Sequence, residues 1–240
     1  NDNKIFDSSY FLDEKGSKKS ASRCTQTSKS KSSIGSNGFA LCADLGSDTL
    51  YSLCTADGSV VSQSPFPPGS GPRHVAVSQD TSMVYASCEL GNLLVAVPAN
   101  AATGELSSPS ESVSILPKDY AGPDTTASHV ELSPCGKYAY VANRVGVPLD
   151  GACEACVDGS ISIIQLVPEL ELLDVVDIGG KVPRGFCVVD AEDGAAASGW
   201  LIVGAQESSL LRSFAIAADG SLSATGELAV PSPGCVVAAQ

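Results

Sequence analysis

Arg73, Arg144, Arg184 and Arg212 are the only arginines between Phe39 and the end of the chain. A guanidinium carries a rigid fork of donors that suits bidentate capture of a carboxylate or phosphate. Near them in sequence stand Glu89, the only two histidines (His74 and His129), and Gln206. Glu89 could activate a water as general base or could simply orient Arg73; both readings stand. The two histidines either put imidazoles at a site or mark a structural habit of one strand. No serine nucleophile elbow, phosphate loop or metal-binding histidine cluster is visible. These residue types are those of an anionic small-molecule site, the alternative being that the arginines pair with acids to tie structural units together.

The positions of these residues follow a repeat. Four short apolar runs stand out: Phe39–Ala43, Met83–Ser87, Tyr138–Ala142 and Trp200–Gly204. Each lacks a 3.6-residue period and reads as a strand buried on both faces. Each is followed by a second strand-like run: Thr49–Leu53, Asn92–Val97, Ser160–Leu166 and Ser209–Ile216. A strand and a turn precede the last three runs. His74-Val-Ala-Val-Ser-Gln-Asp80 and His129-Val-Glu-Leu-Ser-Pro-Cys135 repeat one another, as do Pro72-Arg73 and Pro183-Arg184. Leu45, Glu89, Arg144 and Gln206 then share one slot, at separations of 44, 55 and 62 residues. An all-β repeat of that period is the signature of β-propeller blades. A β-sandwich would not repeat its sequence, and no sustained helical pattern is present.

The expected architecture is therefore an all-β propeller of four-stranded antiparallel blades over residues 39–240, with about four blades visible. In each blade the first two strands form a hairpin. Arg73 and Glu89 flank the turn Ser78–Ser82 almost symmetrically, so they should reach the same rim. By the same count Ser128, His129 and Arg144 flank Pro134–Gly136, and Arg184 and Gln206 flank the turn after Asp190. All should converge on one mouth of a central channel.

The chain has 14 basic and 27 acidic residues, a formal charge of −13. That balance argues against nucleic acid as a partner. Asn1–Gly38 holds seven of the basic residues and four of the acids, a local net of +3. This Ser/Lys-rich leader, residues 1–38, has few large apolar groups and is expected to be disordered. No run is long and apolar enough for a transmembrane helix, and Asn1–Asp7 shows no secretory signal. The chain does not begin with Met, so a fragment or a processed form is expected. Nine cysteines, an odd number, are scattered, with Cys42, Cys88 and Cys187 inside apolar runs. That usage fits small buried hydrophobes in a reducing, cytoplasmic compartment, with targeting by the basic leader left open. Cys153 and Cys156 form the one CxxC, without a second ligand pair, and read as part of a surface-loop insertion.

From Phe39 onward the chain resembles the seven-bladed β-propeller lactonases, the family of cytosolic 6-phosphogluconolactonases and fungal carboxymuconate lactonizing enzymes. The resemblance rests on Phe39-Ala-Leu-Cys-Ala-Asp-Leu-Gly46, Gly71-Pro-Arg-His-Val-Ala-Val77, Glu89-Leu90, Leu132–Arg144, Gly179–Phe186 and Val230-Pro-Ser-Pro233. It implies hydrolysis of an anionic sugar-acid lactone, foremost 6-phosphogluconolactone, without metal or organic cofactor. A carboxymuconate-type cyclase, or a silent propeller that binds a metabolite or protein, is the alternative. By motif the family's site carries over to Arg73, Glu89 and Arg144, with the arginines holding anionic groups and the oxyanion. Two departures accompany it. The place of the family's motif histidine holds Thr27-Ser-Lys29, and about four units stand where seven are implied, the first three reading as missing or replaced by the leader.

Overall fold

A computed structural model describes residues 38–122, 124–145, 158–191 and 197–238. Residues 1–37 of the leader that was expected to be disordered, among them Thr27–Lys29, and Cys153/Cys156 lie outside these residues. The described chain is all-β, with one short 3-10 turn at Gln206–Ser208.

The strands follow in four antiparallel sheets. The first contains β1 (Phe39–Asp44), β2 (Thr49–Cys54) and β3 (Val60–Pro65) in that order. The second contains β4 (Pro72–Val77), β5 (Met83–Cys88), β6 (Leu93–Pro98) and β7 (Glu111–Ser114). The third contains β8 (Thr125–Leu132), β9 (Tyr138–Val145), β10 (Asp158–Gln165) and β11 (Glu171–Lys181). The fourth contains β12 (Pro183–Asp190), β13 (Gly199–Ala205), β14 (Leu210–Ile216) and β15 (Leu222–Ala229). Strand order within each sheet is chain order, so each is a simple meander, the make-up of a propeller blade. Three of the sheets have the expected four strands, and the first has three described strands.

Local sequence explains why the hairpins repeat. In the β4–β5 turn, Asp80 accepts hydrogen bonds from Ser78 Oγ at 2.6 Å and from Ser82 N at 3.1 Å. Ser78 Oγ in turn accepts from Met83 N at 3.0 Å. Ser133 does the same for Tyr138 N at 3.1 Å in the β8–β9 turn, where Gly136 supplies a φ of +68°. The shared serine of the two repeated heptads is thus the residue that closes the hairpin.

The chain divides into two compact units. The first runs to Gly91 and includes Val95–Ser110; the second is Asn92–Leu94 and the chain from Glu111 on. In the first, Leu41, Leu50, Phe66, Val75 and Val84 are buried. In the second, Tyr140, Ile161, Ile163, Phe186, Leu201, Val203, Phe214 and Ile216 form one continuous core. These come from the facing sides of the third and fourth sheets, where burial of aromatic and branched side chains supplies most of the stabilisation. The runs expected to be buried on both faces are so in β5 and β9. In β13 the expectation fails at Trp200, which is 38 % exposed.

Candidate active site

The first strand of each of the last three sheets carries a β-bulge near its start. The register shifts between Pro72 and His74, between Ala127 and Val130, and between Pro183 and Gly185. A bulge leaves one residue out of the ladder and re-aims its side chain. In β4 that residue is Arg73, and in β12 it is Arg184. Superposing the repeats gives Ser128 in β8. Glu89 and Gln206 each lie one residue beyond the paired end of the second strand, next to the bulge, whereas Arg144 lies within the ladder, opposite Thr126.

In the first unit this geometry makes an ion pair. Arg73 is 2 % exposed, and its Nε lies 2.8 Å from Glu89 Oε2; Glu89 is 19 % exposed. Glu89 is further held by its backbone, whose N–H donates to Gly71 O at 2.7 Å. Glu89 is thus held once through its carboxylate and once through its backbone, with its side chain still partly open to solvent. His74 is half-buried on β4, opposite Ser87.

In the second unit the same slots are occupied differently. Arg184 Nη1 donates to Gln206 Oε1 at 3.4 Å, a neutral acceptor in place of the carboxylate. Arg144 is half-buried and donates through Nη2 to Ala127 O at 3.2 Å, back across its own hairpin. Ser128 Oγ donates to Pro183 O at 2.6 Å, which ties the third sheet to the residue before Arg184. His129 lies against Glu131, Nε2 to Oε1 at 3.2 Å, and stands edge-on to Phe186 with ring centroids 4.8 Å apart. Glu131 Oε2 also accepts Val188 N at 2.9 Å, so this group clamps β8 to β12. Arg212, on the outer part of the fourth sheet, pairs with Glu227 at 2.6 Å and donates to Ile178 O.

Sequence reasoning thus paired Arg73 with Glu89 and Arg184 with Gln206, and in both hairpins the partners touch. It also placed Arg212 outside the slots. It did not find Asp48, whose Oδ1 accepts Gly71 N at 2.6 Å and whose Oδ2 accepts Gly69 N at 2.8 Å. A signal was present: Asp48 and Asn92 are 44 residues apart, the separation that relates Leu45 to Glu89. Cys88, adjacent to Glu89, is buried, and burial pushes its thiol up to about 12, the Asp48 charge adding to the rise. Among the described residues no group of three His, Cys, Asp or Glu is arranged to hold a metal ion.

Repeated antiparallel meanders, three of the four with a bulge near the start of the first strand, define the class: a β-propeller protein. The family model for "Lactonase, 7-bladed beta-propeller" matches residues 7–238, and the chain belongs to that family. The match begins upstream of Phe39, where the motif-level resemblance starts. The chain is 30 % identical over 158 residues to a 6-phosphogluconolactonase of Bacillus subtilis, covering 65 % of this chain and 42 % of that protein. Its fold is like that of a Lactobacillus plantarum protein of solved structure, with a TM-score of 0.71 and 23 % identity over 90 % of this chain and 58 % of that one. It is also like the periplasmic gluconolactonase of Pseudomonas aeruginosa, with a TM-score of 0.64 and 22 % identity over 92 % and 62 % of the two chains. The chain therefore spans under half the length of the curated relative and about three fifths of these structures. Among the described residues no helix is long and apolar enough to cross a membrane.

Proposed function

We propose that this protein hydrolyses the ring ester of an anionic sugar-acid lactone, with 6-phosphogluconolactone as the first substrate to test. The observation that carries the reading is the Arg73–Glu89 pair at a β-bulge. Family membership and the 6-phosphogluconolactonase relative support it. Glu89 would take a proton from water as the water adds to the lactone carbonyl. The ring C–O bond then breaks as Glu89 passes that proton to the departing oxygen, which leaves as a hydroxyl and restores the carboxylate. Arg73 orients the Glu89 carboxylate and contributes positive charge as the carbonyl oxygen becomes an oxyanion. Arg144 and Arg184 are assigned to anion capture, the task for which a guanidinium fork is suited. Gln206 holds Arg184 in place. His129, seated on Glu131 and Phe186, is assigned to the fold, and His74 is assigned to the edge of the substrate site.

Hydrolysis of the δ-lactone, measured above the spontaneous rate, tests the reading. A rate well above background is expected. A folded sample that adds nothing to the spontaneous rate would sink it and leave a silent propeller. A reducing, cytoplasmic location is part of the proposal, because Cys42, Cys88 and Cys187 are buried among apolar strand residues, the usage of small hydrophobes. Recovery of the protein from an oxidising compartment of its host would refute that part.

A further inference from the structure

Asp48 lies in the turn between β1 and β2, at a φ of +50°. Two other described turns between the second and third strands of a blade repeat its geometry. Asn92, between β5 and β6, also has a φ of +50°, and Ser209, between β13 and β14, has a φ of +51°. Each uses its backbone carbonyl to accept the N–H of a residue just past the outer strand. The bonds are Phe66 N to Asp48 O at 2.7 Å, Ile115 N to Asn92 O at 3.0 Å and Val230 N to Ser209 O at 2.9 Å. Each then uses its side chain to hold the segment that leads toward the next inner strand. Asn92 Nδ2 donates to Thr125 O at 2.8 Å, and Ser209 Oγ accepts Ser232 N at 3.3 Å.

The first copy is the strongest, because an ionised carboxylate accepts two N–H groups, from Gly69 and Gly71, with one oxygen each. Charge-assisted bonds of this kind are about twice as strong as neutral ones. What they hold is the segment that frames the ion pair. Gly71 O accepts Glu89 N at 2.7 Å, Ser70 O accepts Gly91 N at 3.0 Å, and Arg73 follows two residues after Gly71.

We infer that Asp48 is a positioning residue for the Arg73–Glu89 pair, acting through the Gly69–Gly71 backbone; the inference rests on the proposed lactonase reading only for its kinetic consequence. The carboxylate never needs to touch substrate. It locks the loop whose carbonyls in turn lock the backbone on either side of Glu89.

The test uses the full chain and the variant Asp48→Asn. Asparagine adopts the left-handed conformation readily, as Asn92 does at the equivalent turn. The variant keeps one acceptor oxygen and loses the second acceptor and the charge. Residue-resolved hydrogen exchange should show the Glu89 and Gly91 amides exchanging at least about tenfold faster, the size of one lost charge-assisted bond. The Val84 and Ala86 amides, in the middle of β5, should not change. In lactone hydrolysis, kcat should fall with KM nearly unchanged, and adding Asp48→Asn to Glu89→Gln should cause no further fall. Unchanged exchange at Glu89 and Gly91 would overturn the inference. So would a uniform rise across β5, or equal kinetic losses in both backgrounds. Local exchange that rises in a protein without lactonase activity would uphold the positioning role and remove the proposed function instead.

Discussion

Arg73 holds the Glu89 carboxylate at 2.8 Å from the neighbouring strand of the same hairpin, and it is the more deeply buried of the two. The bulge at Arg73 makes the contact possible, since a residue kept in the ladder would point its side chain along the sheet normal. At the equivalent hairpin of the fourth sheet, Arg184 meets only the neutral Gln206, at 3.4 Å. The two pairs therefore differ in both charge and burial.

That difference predicts unequal stability effects. Removing one partner of a buried ion pair leaves an uncompensated charge, a loss of roughly 3–5 kcal/mol when burial is complete. Glu89→Ala, which strands Arg73, should cost about 2–4 kcal/mol given the partial exposure of Glu89. Gln206→Ala should cost about 1 kcal/mol or less. Urea midpoints at unchanged slope give the comparison. Equal losses at the two sites would mean that the ion pair adds nothing over a neutral contact.

Activity should respond to the same residues. Arg73→Ala and Arg144→Ala are each expected to remove about 2–4 kcal/mol of transition-state binding, as for loss of one charged oxyanion donor. Steady-state kcat/KM above the spontaneous rate is the measurement. Wild-type values in either variant would withdraw that residue from the site.

The cysteines should divide sharply by reactivity. The thiolate is the nucleophile, and the Cys88 thiol, raised to about 12 by burial, is almost wholly protonated at pH 8. Cys135 and Cys235 are exposed. Brief alkylation of the native protein at pH 8, read by peptide mass spectrometry, should modify Cys135 and Cys235 and spare Cys88 until denaturant is added. Prompt labelling of Cys88 in the native state would show that β5 opens far more readily than its burial implies.

The hairpin turns carry a small acid-dependent term. Hydrogen bonds from Ser78 and Ser82 lower the Asp80 carboxyl below its usual 3.8. A depressed folded-state value adds stability that is fully present above the unfolded value near 3.8 and is lost as pH falls through the folded one. Asp80→Asn should therefore be less stable than wild type at pH 6, by less than about 1 kcal/mol because the group is exposed. The gap should close near pH 2. A gap that persists at pH 2 would assign the effect to backbone conformation and not to charge.

The blades were legible because their chemistry is local. The short apolar runs buried on both faces, the shared Ser78/Ser133 turn and the Pro-Arg dipeptides are each features of a single hairpin. The slot pairs Arg73–Glu89 and Arg184–Gln206 followed from counting outward from a turn. What counting could not supply was the bulge, which adds a residue to one strand without leaving a residue-type signature. Nor could it supply the fate of His129. Its packing on Phe186 spans 57 residues and two sheets. Asp48 was missed for a related reason. The same turn position is filled by Asp, Asn and Ser in three blades, so geometry repeats there while identity does not.

Gly71 is where these constraints meet, and its substitution separates two physical terms. The residue has a φ of +61°, and a Cβ built on it would lie 2.5 Å from Leu90 Cγ. Gly71→Ala must therefore bear both a left-handed strain of roughly 1–2 kcal/mol and a steric collision. Leu90 is 39 % exposed, so Leu90→Ala alone should cost little. Combining the two should recover the steric part and leave only the conformational part, a coupling of about 1 kcal/mol or more in a double-mutant cycle. Denaturant midpoints of the four proteins provide the cycle. Strict additivity would mean that Leu90 already turns away from Gly71 and that the loop is held by Asp48 and the backbone alone.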